Sequence, residues 1–179
     1  MRKWFCILVL LIISNSVFCE PNNNTLDELR SKYITALRDY LNAPKVYESF
    51  LKVEKPDGKI LAYQGALEAI MTKTTWNLFK KMSYLNKSEA SFNKAIEMAP
   101  DDIEIRHMRL AVQFEIPSYL GFSDDMEDDK EFILNNMNNL NSETIPLTLK
   151  KQIIDFMHPC EMFTVEQIQK IELTLASTS

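Results

Sequence analysis

The segment from Met82 to Leu110 constrains the fold of this chain more than any other stretch. Phe92 and Ala95 lie on one face of an amphipathic helix, because residues three or four apart share a helical face. Pro100 then stops that helix, and the acidic residues after it open a second one. The order of these signals predicts a helical hairpin, which is an architecture and not a reaction.

Glycine is scarce throughout the chain, and its scarcity argues against a β-protein. Only three of the 179 residues are glycine, whereas tight turns between strands need many positions with positive φ. Hydrophobic residues make up 46% of the chain, which is enough for one domain with its own core. No stretch shows the strict alternation of a half-buried strand. The predicted fold class is all-α, with seven or eight helices in stacked antiparallel hairpins.

Residues 1–19 have the three parts of a signal peptide. Arg2 and Lys3 form a positive start, an unbroken apolar run follows over Trp4–Ile13, and small polar residues come next. The apolar run is too short to span a bilayer comfortably. The chain is therefore predicted to be exported, either to the periplasm or out of the cell. The predicted divisions are a signal peptide at 1–19, a flexible leader at 20–24 and a single α-helical domain at 25–179.

The cysteines leave the processing of this segment open. Cleavage after Ser16 and cleavage after Cys19 both fit the pattern, and a lipid anchor on Cys19 is a third option, although bulky Phe18 precedes it. Cys160 is expected to be a buried, unpaired thiol. A disulfide between Cys19 and Cys160 is the alternative if Cys19 survives cleavage.

The net charge excludes several classes of partner. The chain carries a formal charge of −5, and loss of Arg2 and Lys3 makes it two units more negative, −7. A mildly acidic domain lacks the positive surface that nucleic acids require. No continuous block of Lys or Arg is present to attract anionic lipid. We expect no nucleic-acid partner and no membrane insertion once the signal peptide is removed.

A central helix is predicted between Lys59 and Lys73. Small residues form a stripe along it: Ala62, Gly65, Ala66 and Ala69. Large apolar residues form the neighbouring stripe: Tyr63, Leu67, Ile70 and Met71. Glycine inside a helix costs about 1 kcal/mol relative to alanine, and this cost is tolerated where another helix approaches closely. We therefore expect this helix to pack on both sides.

Helix ends are predicted from capping residues, prolines and turns. Thr25 and Glu28 form a capping box at the start of a helix that runs to about Asn42. Pro56 and Gly58 predict a turn in which Gly58 takes the left-handed conformation. The other predicted boundaries are a helix start at Pro44, a cap at Asp101, stops at Pro117 and His158-Pro159, a loop at Asn141–Thr144, a helix start at Pro146 and a capping box at Thr164–Gln167.

Four residues after the central helix resemble the second helix of a tetratricopeptide repeat. They are Ser88, Phe92, Ala95 and Pro100, and the last two lie within the string N-K-A-I-E-M-A-P-D-D. The central helix would be the first of the pair, and Thr74–Leu85 would be an insertion relative to the usual unit of about 34 residues. The sequence holds no second copy of the pattern. The resemblance implies helical hairpins with a concave face that binds a peptide or protein.

Most of the chain after the signal peptide is also similar to a family of exported bacterial proteins with no assigned activity. The similarity implies export but brings no reaction or ligand with it. The similar pieces are Ala62–Ala66, Tyr84–Lys87, Ala95-Ile96, Glu104–Arg106, Arg109-Leu110, Pro117–Gly121 and Asp128–Lys130.

Two arginines after Pro100 are the leading candidates for a binding site. Arg106 and Arg109 are three residues apart and share a helical face. Two guanidinium groups on one face can clamp an anion or a partner's carboxylate, or they can pair with acids of the same chain. The internal candidates are Asp128, Asp129 and Glu104. The residues assigned to a partner or anion site are Arg106, Arg109, Tyr63 and Trp76. A groove is expected between the helices that start near Lys59 and Asp101.

The other polar clusters favour structure over chemistry. The acidic run Asp124–Asp129 lacks the spacing and the glycine of a calcium loop, and it suits the positive end of a helix. His158 and Cys160 supply two ligands where zinc needs three or four. No catalytic motif is present, so no cofactor and no metal is expected. The aromatic residues interpreted as core, with a ligand cage as the alternative, are Trp76, Phe79, Tyr84 and Phe92.

These patterns together predict an interaction protein and not an enzyme. The expected function is an exported module that binds a protein or peptide on a concave helical face. The alternative is a carrier of a small molecule or lipid, with an apolar cavity between its helices.

Overall fold

The computed structural model describes residues 23–137 and 147–176, and this part of the chain contains eight α-helices and no β-strand. The all-α prediction is confirmed. The helices are α1 (Asn23–Arg38), α2 (Ala43–Leu51), α3 (Gly58–Met71), α4 (Leu78–Met98), α5 (Ile103–Glu115), α6 (Met126–Met137), α7 (Leu147–Met157) and α8 (Val165–Ala176). Short 3-10 turns follow α1, α3 and α5, at Tyr40–Asn42, Thr72–Thr74 and Ser118–Leu120. The predicted signal peptide and the predicted loop at Asn141–Thr144 lie outside the described residues.

Helix α3 is the central element of the first half of the chain. It packs against α1, α2, α4 and α5, and residues 62–68 are all buried, whereas a surface helix keeps one polar face. A Cβ added at Gly65 would lie 3.1 Å from the Ser88 carbonyl oxygen and 3.1 Å from the Phe92 ring. The prediction that the central helix packs on both sides is confirmed, and Gly65 marks the closest approach to α4.

Gly58 has a different role from the one predicted. In the described residues positive φ angles are confined to Gly121, so Gly58 is not left-handed. Asp57 caps α3 by accepting a hydrogen bond from the Ile60 amide at 2.8 Å, which makes Gly58 the first helical residue. A Cβ there would lie 2.9 Å from the Ala95 carbonyl oxygen. Gly58 therefore permits a second close approach between α3 and α4.

Helices α3 and α4 pack against each other as a hairpin, and α4 also contacts α5, the second helix of the hairpin predicted from Met82–Leu110. Helix α4 is continuous from Leu78 to Met98. It has 21 residues, against 14 in α3. Gly58 faces Ala95 and Gly65 faces Ser88, so the two helices run antiparallel in step. We can follow this register toward the turn that joins the two helices. Helix α3 then ends, at Met71, before the first turn of α4 has found a partner. The start of α4, at Leu78, therefore extends past α3.

Two apolar clusters share α5. Ile105 and Met108 belong to the first cluster, which is built with α1 to α4. Ile103 and Leu110 belong to the second, which is built with α6, α7 and α8. Helix α5 is thus buried on two sides and joins the two halves of the molecule.

Two predicted N-caps are displaced. Helix α1 begins at Asn23, so Thr25 lies inside the helix. The cap of α5 is Asp102, whose carboxylate accepts from the Glu104 amide at 2.9 Å, and not Asp101. Two adjacent acids fit the same capping pattern, so the sequence could not separate them.

Two of the other predicted boundaries agree with the structure, and one differs. Pro44 lies in the first turn of α2. The capping box at α8 forms as predicted, since the Thr164 amide donates to Gln167 Oε1 at 2.9 Å and the Gln167 amide donates to Thr164 Oγ1 at 3.2 Å. The first helix is shorter than predicted, because it ends at Arg38 and a 3-10 turn runs on to Asn42.

Candidate functional site

The arginine pair of α5 binds a buried carboxylate on α6. Arg109 Nε lies 2.6 Å from Asp129 Oδ2 and Arg109 Nη2 lies 2.8 Å from Oδ1. Arg106 Nη1 lies 3.0 Å from the same Oδ1. Asp129 is fully buried, and these charge-assisted bonds replace the hydration that it loses. Of the two alternatives left open by the sequence, the structure shows pairing with acids of the same chain, with Asp129 as the shared partner.

Further contacts use more of the donors of both arginines. Arg109 also pairs with Asp125 at 3.0 Å. Arg106 donates to the Pro100 carbonyl oxygen at 3.3 Å, and its guanidinium lies 5.0 Å from the centroid of the Phe132 ring. These contacts of Arg106 and Arg109 link α5 to α6 and to the segment that follows α4. Because the positive charge of the two arginines is met by carboxylates of the same chain, little is left for an external anion, and a partner site at these arginines stays a prediction.

Tyr63 lies in a second polar network, centred on buried Glu104. The Tyr63 hydroxyl donates to Glu104 Oε1 at 2.8 Å, Arg30 Nη2 donates to Oε2 at 2.6 Å, and Lys59 Nζ lies 3.3 Å away. Burial raises the pKa of Glu104, but the bonds and charge of Arg30 and the charge of Lys59 outweigh burial and lower it. Burial, followed by the charge of Glu104, raises the pKa of Tyr63. The network therefore holds an ionised carboxylate against a neutral phenol.

This network lies where the groove was predicted, between α3 and α5. Arg30 belongs to α1 and bonds Glu104, which is 74 residues away in the sequence. Tyr33 of α1 also meets the Tyr63 ring edge to face, with 5.0 Å between the ring centroids. Helix α1 thus occupies part of the space that a partner was expected to fill. The sequence carried no signal for this placement, because Arg30 looks like any charged residue on a surface helix.

A buried carboxylate that sequence reasoning missed links three helices. Glu68 of α3 accepts from the Tyr47 hydroxyl of α2 at 2.6 Å and from Ser91 Oγ of α4 at 2.8 Å. Burial, followed by the hydrogen bond to Glu68 and by its charge, raises the pKa of Tyr47. A signal was available, since Glu68 is a charged residue in the middle of a largely apolar helix. Both of its oxygens have donors within the chain, so its contacts are those of a structural group.

The two histidines and Cys160 have different surroundings. His107 is buried against the Phe156 ring, and its Nδ1 has no hydrogen-bond partner among the described residues. Burial lowers the pKa of His107 to about 4. His158 is exposed, 3.1 Å from Glu172. Cys160 is buried, as predicted, and burial raises its pKa; Cys19, its alternative disulfide partner, lies outside the described residues. Residues 23–137 and 147–176 contain no group of three or more side chains that could hold a metal ion.

A small pocket lies between α4 and α5. Its lining includes Leu85, Ser88, Phe92, Arg109, Gln113 and Phe122. The volume including the open mouth is about 260 Å³, but the enclosed part has room for about one water molecule. The side-chain oxygen of Gln113, which has no partner among the described residues, belongs to one of these lining residues. The pocket is too small to hold a lipid chain.

Three large apolar side chains stand in solvent where α4 begins. Trp76 is 99% exposed, Leu78 65% and Phe79 87%. The prediction that Trp76 and Phe79 belong to the core is wrong, although Phe92 is buried as predicted. The first turn of α4 extends past α3, so its helical pattern continues where no neighbour covers it.

A second group of exposed apolar residues lies at the same end of the molecule. The 3-10 turn Tyr40–Asn42 contacts the turn Thr72–Thr74, which leads directly to Trp76. Leu37, Tyr40 and Leu41 are exposed there. We call the two groups together the end face. It consists of Leu37, Tyr40, Leu41, Trp76, Leu78 and Phe79.

Comparison of this chain with protein-family models, curated proteins and solved structures found no match. The resemblance to tetratricopeptide repeats therefore stays a prediction. Within the described ranges, no helix combines the length and the apolar character needed to cross a membrane. Since function is carried by sites and not by folds, the function of this chain has to be inferred from the chemistry of its surface.

Proposed function

We propose that the chain is an exported interaction module whose binding surface is the end face. The observation that carries the proposal is the exposure of Trp76, Leu78 and Phe79 side by side. Burying a large apolar side chain stabilises a complex by about 1.5–3 kcal/mol, and exposed apolar patches mark binding sites. Tryptophan is also over-represented among the residues that dominate binding energy.

The buried polar groups support an interaction role better than a catalytic one. Glu68, Glu104 and Asp129 each have donors from the chain itself on their oxygens. Carboxylates that are buried and bonded to their own chain in this way stabilise the fold. The pocket between α4 and α5 is too small to support the alternative of a lipid carrier.

The end face replaces the concave face as the proposed binding surface for a protein, peptide or other macromolecule. The concave face was expected between α3 and α5, where Arg30 of α1 now bonds Glu104. An outside ligand would have to displace Arg30 from Glu104, which is buried, and leaving a buried charge without its partner costs about 3–5 kcal/mol. Docking on the end face requires no such displacement.

Site-specific photo-crosslinking in the cells that produce the protein tests this proposal. A photoreactive phenylalanine analogue is placed at Phe79 in the full chain, and the matched control carries it at Tyr119. Tyr119 is also aromatic and is 85% exposed, but it lies in the turn after α5. We expect crosslinked products from position 79 that position 119 does not give. The same products at the same yield from both positions would refute the proposed binding surface.

A further inference from the structure

The charge around the end face is opposite to that of the rest of the chain. Residues 69–88 contain four lysines and no acidic residue, and because the whole chain has a formal charge of −5, the other residues together carry −9. The lysines are Lys73, Lys80, Lys81 and Lys87. The ion pairs of the described residues include none of the four. Their positive charge is therefore available to a partner.

These lysines do not form a continuous block in the sequence. Lys73 precedes α4, Lys80 and Lys81 lie in its first turn, and Lys87 lies two turns later. Lys73, Lys80 and Lys87 are exposed. At the neighbouring turn, Asp39 is accompanied by two exposed cations, Arg38 and Lys45. Lys73, Lys80 and Lys81 lie within a few residues of Trp76 in the sequence, so the segment around the end face is positive although it contains no continuous basic run.

The aromatic side chains of the end face project from the molecule and do not line a groove. A side chain in a groove loses much of its exposure to the walls, but Trp76 keeps 99%. The ammonium of Lys81 lies 5.8 Å from the centroid of its ring, which is a cation–π contact. A peptide needs a groove in which to bury its own side chains. Projecting aromatic groups bordered by lysines fit a partner that has a deformable apolar layer beneath a layer of negative charge.

We infer that the end face docks on the surface of an anionic phospholipid bilayer. The inference rests on the proposed function, since it names the partner of the same surface. Trp76 and Phe79 are of the residue types that favour the boundary between headgroups and acyl chains. Lysines attract anionic headgroups over about a Debye length. The apolar residues before α2 widen the contact, and docking of this kind needs no membrane-spanning helix.

Trp76 is a native reporter for this contact. The chain has two tryptophans, so the full chain with Trp4→Phe reports from Trp76 alone. Its fluorescence is recorded as vesicles are added, made of phosphatidylcholine with or without phosphatidylglycerol, with brominated acyl chains as the quencher. We expect a blue shift and quenching with the vesicles that contain phosphatidylglycerol, both weakened by added salt. Vesicles of phosphatidylcholine alone should give a much smaller response.

Matched charge reversals separate the end face from general attraction to lipid. The pair Lys80→Glu and Lys81→Glu should weaken vesicle binding by about tenfold or more. The control pair, Lys150→Glu and Lys151→Glu, changes two adjacent lysines on α7 and should leave binding unchanged. Residues 1–22 are the same in every variant, so any lipid binding of their own is common to all. Circular dichroism checks that each variant is folded.

An unshifted and unquenched Trp76 in the presence of phosphatidylglycerol vesicles overturns the inference. Equal weakening by the two lysine reversals also overturns it, because the end face is then not the contact. If Trp76 is not quenched but position 79 crosslinks to a protein, the docking function stands and the bilayer is the wrong partner. If neither quenching nor specific crosslinking occurs, the proposed function fails as well.

Discussion

Removing the carboxylate of Asp129 should destabilise the fold far more than removing the one beside it. Asp129 is fully buried and receives three hydrogen bonds from Arg106 and Arg109, at 2.6, 2.8 and 3.0 Å. In Asp129→Ala the buried Arg109 keeps only Asp125 as a carboxylate partner. Removing one member of a buried ion pair costs about 3–5 kcal/mol, so we expect a loss in the free energy of unfolding of that size.

Asp128→Ala is the matched control for this substitution. Asp128 is exposed and lies with Asp129 in the first turn of α6. Both variants lose an acid at the positive end of the same helix, so the difference between them isolates the buried pair. An exposed substitution of this kind changes stability by about 0.5 kcal/mol, apart from the shared helix-dipole effect.

Urea unfolding followed by circular dichroism measures both variants. In a second step, Arg109→Met is combined with Asp129→Ala, which removes both buried charges and should recover part of the loss. A difference below about 1 kcal/mol between Asp129→Ala and Asp128→Ala would refute the reasoning, since it would mean that the arginines do not depend on this carboxylate. The arginines would then be free to serve a partner.

The packing of α3 and α5 gives two further predictions. Gly65→Ala should lower the free energy of unfolding, measured in urea, by about 1 kcal/mol. Overpacking against Ser88 and Phe92 costs about 1–3 kcal/mol, whereas the higher helix propensity of alanine stabilises the helix by only about 1 kcal/mol. A stabilised variant would show that α4 can move away from α3. The free energy of unfolding should also fall by about 3 kcal/mol as the pH is lowered from about 6.5 to about 4. The reason is that the pKa of His107 is lower in the folded chain than in the unfolded chain, so protons in this pH range bind the unfolded chain preferentially. His107→Leu should lose this slope and His158→Gln should keep it, and equal slopes in unfolding curves across that pH range would contradict the assignment.

The position of α3 could be predicted because its evidence is local. Gly65 among three alanines shows that something must come close, whatever that neighbour is. The internal pairing of the arginines could be predicted for a similar reason, since Arg106 and Arg109 share a face and acids were available. The choice of Asp129 over Asp128 depends on how α6 is turned toward α5, and that orientation is set by the apolar contacts of the second cluster.

The exposure of Trp76 and Phe79 could not be predicted, and the reason applies to every helical hairpin whose two helices differ in length. Periodicity shows which residues share a face of a helix, but it does not show whether that face has a neighbour. In α4 the same pattern buries Phe92 opposite Gly65 and continues into a turn that lies beyond the end of α3. Large apolar residues in that turn are not covered by a core, so they either promote aggregation or form a contact with a partner. Because unpaired lysines surround them on an otherwise acidic chain, a contact is the better physical account of the end face.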